Sequence, residues 1–185
     1  MSKTRKITIT AILAAIAMIL PFSPLKMLIP PAMTVTVASH VPVWIAMFIS
    51  PYTVVAVVVM QSAGYLMAGL PIDVFFRSLS HLIFALLGSI YIMKIGRPKK
   101  FVSNTIFCFI LSIIHALAEV AVITFIFFPS PEYIAEKQPA FASPIMYIWI
   151  AVGLGAFIHG IVDYILASLI LGGTRSVSTN KQQSE

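Results

Sequence analysis

Charge is scarce in this chain. Asp, Glu, Lys and Arg make up 10% of its 185 residues and hydrophobic types 59%, where soluble domains carry roughly 25% charged residues. That balance, with a mean hydropathy of +1.00, excludes a water-soluble globular domain and implies an integral membrane protein. Cysteine is scarcer still. Cys108 stands alone inside an apolar run, so there is no disulfide framework and no cysteine-ligated metal. A Gly-x-x-x-x-Gly-Lys-Ser/Thr phosphate loop is lacking, so ATP hydrolysis by this chain has no signature. A Gly-x-Ser-x-Gly elbow is lacking too, and Cys108 has no neighbouring base, so nucleophilic catalysis has no signature. No repeat splits the chain into two related halves, which argues against an autonomous carrier or a passive channel. The net charge of +6 comes without interleaved basic and aromatic residues, so no nucleic acid is expected as a partner.

What is present is a series of apolar stretches: Ile7–Leu20, Met33–Ile49, Tyr52–Ala68, Ile72–Met93, Phe101–Phe128 and Ile145–Leu171. About 20 residues cross a bilayer as a helix, so the first three are short and the last two long. The expected fold is an all-α membrane protein: one compact bundle of six transmembrane helices over residues 1–185, with short polar tails at 1–6 and 173–185. The first stretch is expected to be a retained helix, not a cleaved leader, because apolar segments continue almost to residue 171. Pro21, Pro24, Pro30 and Pro31 predict an ordered, non-helical connection over Pro21–Ala32, and Pro129–Pro144 predicts a second proline-rich loop on the same side.

Charge fixes the expected orientation. Lys3, Arg5 and Lys6 precede the first stretch, Lys94, Arg97, Lys99 and Lys100 follow the fourth, and Arg175 and Lys181 follow the sixth. Six crossings put all three clusters on one face. The positive-inside rule makes that face, with both termini, cytoplasmic in a multi-pass protein of the cell membrane.

Ionisable residues inside the apolar stretches are the functional candidates, since a charge at the bilayer centre costs at least about 2.5 kcal/mol. Asp73, Arg77 and His81 lie four residues apart, on one face of the fourth helix. Asp73 complements the positive end of the helix dipole or pairs with Arg77. Arg77 offers a planar fork suited to a carboxylate or phosphate, and His81 could complete a polar wall. The same spacing recurs in His115 with Glu119 and in His159 with Asp163, so three polar stripes are expected to converge on one interior. Glu119 should lie nearer the outside than Asp163, which makes Glu119 the ligand candidate and Asp163 a structural or coupling residue. These pairs sit on separate stretches and no motif fixes their approach, so neither a metal nor a cofactor is expected. Tyr147 and Trp149 suit an interfacial anchor, with ligand stacking as the other role for Trp149.

Ala11 and Ala15 form a small-x-x-x-small pair on the first stretch, where small side chains permit close helix approach. With six short-looped helices in about 20 kDa, that pair resembles the substrate-binding S component of an energy-coupling factor (ECF) vitamin transporter. The likeness spans Lys3 to Gly172. Ala38-Ser39-His40-Val41-Pro42, Ala46-Met47-Phe48-Ile49-Ser50-Pro51 and Arg77-Ser78-Leu79-Ser80-His81 look like the niacin-type members. The resemblance implies capture of a vitamin from outside, then docking on a transmembrane coupling subunit driven by two ATPase subunits. It also implies a carboxylate-bearing ligand near Arg77, with His40 or His81 beside it; a small aromatic acid comes first and pantothenate second. Asp73, Glu119 and Trp149 complete the candidate substrate site, and Ala11 and Ala15 the docking stripe. The rival of another class is an intramembrane metal-dependent enzyme built on His115, Glu119, His159 and Asp163.

Overall fold

A computed structural model describes residues 1–23, 26–29, 33–36, 38–127 and 146–182. The proline-rich loop expected over 129–144 lies outside the described residues. Helix α1 (Lys3–Ile19) starts at Ser2, whose Oγ accepts the Arg5 N–H, and ends in a 3-10 turn, Leu20–Phe22, containing Pro21. A two-stranded antiparallel hairpin follows, β1 (Lys26–Ile29) with β2 (Met33–Thr36). Then come α2 (Val41–Met47), α3 (Pro51–Met67), α4 (Ile72–Ile95), α5 (Phe101–Val122) and α6 (Gly155–Gln182). Helix α5 widens into a π-helical turn, Ile123–Phe127, and α6 is entered through another, Tyr147–Leu154.

Four of these helical segments are long and apolar enough to cross a membrane: Lys3–Phe22, Ile72–Ile95, Phe101–Ile126 and Tyr147–Gly172, with Pro51–Met67 a shorter apolar helix. The stretch expected as a single helix over Met33–Ile49 is instead a strand, a turn and a helix of 7 residues. The reason is local. Thr34, Val35, Thr36 and Val37 are β-branched and favour extended backbone. Pro42 fits only the first turn of a helix, and Pro51 opens the next one, leaving α2 little length between them.

Directions follow from the contacts. Thr10 Oγ1 lies 2.9 Å from Thr53 Oγ1, and at the other end a Cβ on Gly64 would strike the Met18 backbone. Helices α1 and α3 are therefore parallel, and the chain between them must return along the bundle. That return ends in α2, which packs against α1, α3, α4 and α6. Its Val41, Pro42, Val43, Trp44, Ala46 and Met47 are all buried, which explains its composition. Trp44 packs between Phe84, tilted against it, and Tyr164, edge to face, with ring centroids 4.8 and 4.9 Å away. Helices α3 and α4 are antiparallel through Ser62 and Ser78 (3.0 Å), and α5 and α6 through Tyr164 and Asn104.

The outward helix faces are apolar, and the apolar core encloses a group of polar residues. Ile83, Leu87 and Ile90 on α4, Ile106, Ile110, Ile113 and Leu117 on α5, and Ile158, Val162, Ile165 and Leu169 on α6 face outward at helical spacing. Gln61, His81, His115, Glu119 and Asp163 are buried. A bundle with this polarity suits lipid outside and a polar site inside.

Candidate functional site

Four histidines are present in the whole chain, and all four meet in one place. The His40 ring centroid lies 4.3 Å from that of His81, 4.8 Å from His115 and 4.5 Å from His159, and His81 and His115 are 4.9 Å apart. His40 arrives from the turn before α2, His81 from α4, His115 from α5 and His159 from α6. The turn at Ala38 is left-handed, with φ 64°, a conformation that costs an L-residue roughly 1–2 kcal/mol. It delivers His40 to the centre of the bundle, where the His40 N–H donates to Asp163 Oδ2 at 2.8 Å.

Glu119 organises the half of the cluster nearer the start of α4. Its Oε2 accepts from Arg77 Nε at 2.8 Å and Nη2 at 2.5 Å, while its Oε1 lies 3.1 Å from both His81 Nε2 and His115 Nε2. Asp163 organises the other half, with His40 Nδ1 and His159 Nε2 each 3.1 Å from Oδ2. Glu119 lies toward the end of the bundle where α4 starts, meeting Arg77 in the second turn of α4, whereas Asp163 lies toward the end where α5 starts, next to Tyr164, whose hydroxyl reaches Asn104. Gln61 Nε2 donates to the Ser39 carbonyl at 2.7 Å, turning its Oε1 toward His81 Nδ1 at 3.4 Å.

The structure thus brings together His40, Arg77, His81 and Glu119, adding His115, His159, Asp163, Ser39 and Gln61. Arg77 directs its fork to Glu119 and not to Asp73, although the four-residue spacing allowed the local pair. Asp73 stays in the first turn of α4, where it complements the helix dipole, and its buried Oδ1 has no hydrogen-bond partner. Trp149 is 55% exposed and lines an apolar groove of about 340 Å³ with Ile113, Leu117 and Phe157, away from the polar cluster. Gln61 escaped the sequence reading; its signal was an amide inside the apolar run Tyr52–Ala68.

Ala11 and Ala15 are exposed on α1, while Ala14 and Ala17 are buried against the bundle. The helix therefore uses one small-residue face for internal packing and turns the other outward.

Fold and site together define a multi-pass membrane protein with an intramembrane polar site, a design that serves transport. The chain is 33% identical over 172 residues to the niacin transporter NiaX of Lactococcus lactis subsp. cremoris (strain MG1363), a match covering 90% of this chain and 72% of that one. It belongs to that family, the niacin-type S components of ECF vitamin transporters. These are transporters and not enzymes, which removes the intramembrane metal-dependent enzyme as a rival. No family model matches the chain, and no solved structure matches it.

Proposed function

We propose that this protein captures niacin from outside the cell and delivers it by docking on a transmembrane coupling subunit powered by two ATPase subunits. The observation that carries this reading is Arg77. Its guanidinium lies near the outer start of α4, with a side chain 15% exposed, and Glu119 engages two of the five donors that an arginine possesses. The remaining donors suit the carboxylate of a small aromatic acid, and the imidazoles of His81 and His40 lie one step deeper for its ring. The relative's name points to the same ligand. Asp73 shapes the field at the mouth, and Trp149 anchors the outer end of α6.

The same reading sets the topology. The chain crosses six times as a single domain, the second crossing completed by extended backbone and α2, and both termini are cytoplasmic. Ala11 and Ala15, exposed on α1, form the docking stripe for the coupling subunit.

Titration of purified protein with niacin, nicotinamide and pantothenate tests the ligand. Niacin should bind at least tenfold more tightly than nicotinamide, which keeps the ring and loses the charge, because a charge-assisted pair is worth about 1.5–3 kcal/mol. Pantothenate binding without niacin binding would transfer the assignment to the second vitamin. Equal affinity for niacin and nicotinamide would remove the carboxylate from the argument.

A further inference from the structure

We propose that His40, His81, His115 and Glu119 form a binding site for one divalent transition-metal ion. One ligand atom from each of these four residues lies within 4.8 Å of every other, and all four residues are buried. Three of the separations are 3.1 Å: His40 Nε2 to His81 Nε2, His81 Nε2 to Glu119 Oε1, and His115 Nε2 to Glu119 Oε1. Four donors placed tetrahedrally about 2.0–2.1 Å from a zinc-sized ion stand about 3.3–3.4 Å from each other. Three of the six edges of such a tetrahedron are thus already close to that length.

The hydrogen-bond network shows why a cation belongs there. Asp163 Oδ2 can only accept, so His40 carries its proton on Nδ1 and turns a lone pair outward from Nε2. Gln61 uses its amide donor on the Ser39 carbonyl and presents Oε1 to His81, so His81 also holds its proton on Nδ1 and its lone pair on Nε2. With both imidazoles neutral, the His81 lone pair then lies 3.1 Å from the His40 lone pair and from a Glu119 carboxylate oxygen, with no proton between them. A positive ion converts that repulsion into coordination. The outer partners of the two histidines, a carboxylate and an amide carbonyl, are those that orient and strengthen imidazole ligands in metal centres.

Charge agrees. Asp73, Glu119 and Asp163 are buried in the described interior beside the single guanidinium of Arg77, so a doubly charged cation offsets the excess of acid. A set of imidazoles with one carboxylate favours the zinc, cobalt and nickel class over magnesium or calcium, which take mostly oxygen ligands. His159 with Asp163 makes a poorer set, because it must share His40 and has one donor fewer.

Full-length protein, freed of any polyhistidine tag and held in nanodiscs, is titrated with Co²⁺. The expected result is one ion per chain with the visible ligand-field absorption of tetrahedral cobalt, displaced by Zn²⁺. His81→Asn and His115→Asn should lose the absorption, and Asp163→Asn, which acts through His40, should weaken affinity by about 10–100-fold. His159→Asn should keep it. If the ligand variants do not fold, X-ray absorption of the zinc-loaded wild type replaces them, with several imidazoles in the coordination shell expected. No stoichiometric ion in the wild type, or an absorption indifferent to both ligand variants, overturns the site. Niacin binding is measured on the same samples: niacin bound without metal uptake ends this proposal and leaves the vitamin reading intact, and the converse result does the reverse.

Discussion

Replacing Arg77 separates its two roles, partner of Glu119 and anchor of a vitamin. Arg77→Ala leaves Glu119 buried with a carboxylate that has lost two charge-assisted hydrogen bonds, at 2.8 and 2.5 Å. Breaking one side of such a pair costs about 3–5 kcal/mol of stability. The double variant Arg77→Met with Glu119→Gln removes both charges at similar volume, and replacing a buried pair by neutral groups is often neutral or stabilising by about 1–4 kcal/mol. Its thermal midpoint should therefore stand well above that of Arg77→Ala. Vitamin affinity should behave differently. Losing the anchor costs about 2–5 kcal/mol, which is about 30-fold to 5,000-fold in Kd, and the double variant should not restore it. Arg77→Lys should recover part of the affinity, because an ammonium supplies charge without the fork. The assay pairs thermal unfolding in detergent with niacin titration of each variant. Wild-type affinity in a well-folded double variant would refute the anchor, and equal stability of the single and double variants would refute the structural pair.

Three further outcomes are expected. Cysteine placed at Ser130, in a Cys108→Ser background, should be labelled from outside intact cells, given nine basic residues in the three clusters assigned inside against Lys26 and Lys137 outside; labelling only after permeabilisation would invert the topology. Ala11→Trp and Ala15→Trp should leave niacin binding by the isolated subunit unchanged while abolishing uptake and co-purification with the coupling subunit; uptake surviving both would place docking elsewhere. Gly160→Ala should lower the thermal midpoint, since a Cβ there would sit 3.0 Å from His115 Nδ1 and 3.3 Å from Ser112 Oγ, an overpacking worth about 1–3 kcal/mol; an unchanged midpoint would mean that α5 and α6 have room to part.

The long crossings were readable because hydrophobic length is a strong signal: the stretch Ile72–Met93 coincides with α4 to within two residues, and Phe101–Phe128 matches α5 together with its π-helical turn. Met33–Ile49 was not, because hydropathy reports burial without distinguishing a helix from extended chain. Pro42 held the better clue, as a residue that fits only the first helical turn. Within the site, four-residue spacing placed each pair on a helix face and anticipated convergence, yet periodicity says nothing about which faces touch. Arg77 accordingly went to a carboxylate 42 positions away instead of to Asp73, four positions away. His40 was chosen by resemblance alone, since nothing in its own neighbourhood says that the left-handed turn at Ala38 carries it into the bundle.

Because every imidazole of this chain lies in the one cluster, histidine is a built-in reporter. A sample labelled with nitrogen-15 only in histidine side chains would give ring signals from four residues, all from the site and none from background. Their chemical shifts read tautomer, protonation and metal coordination directly, so the occupancy of the bundle's centre can be followed during substrate capture without attaching any probe. The same economy demands that affinity tags of histidine be cleaved before such spectra are recorded.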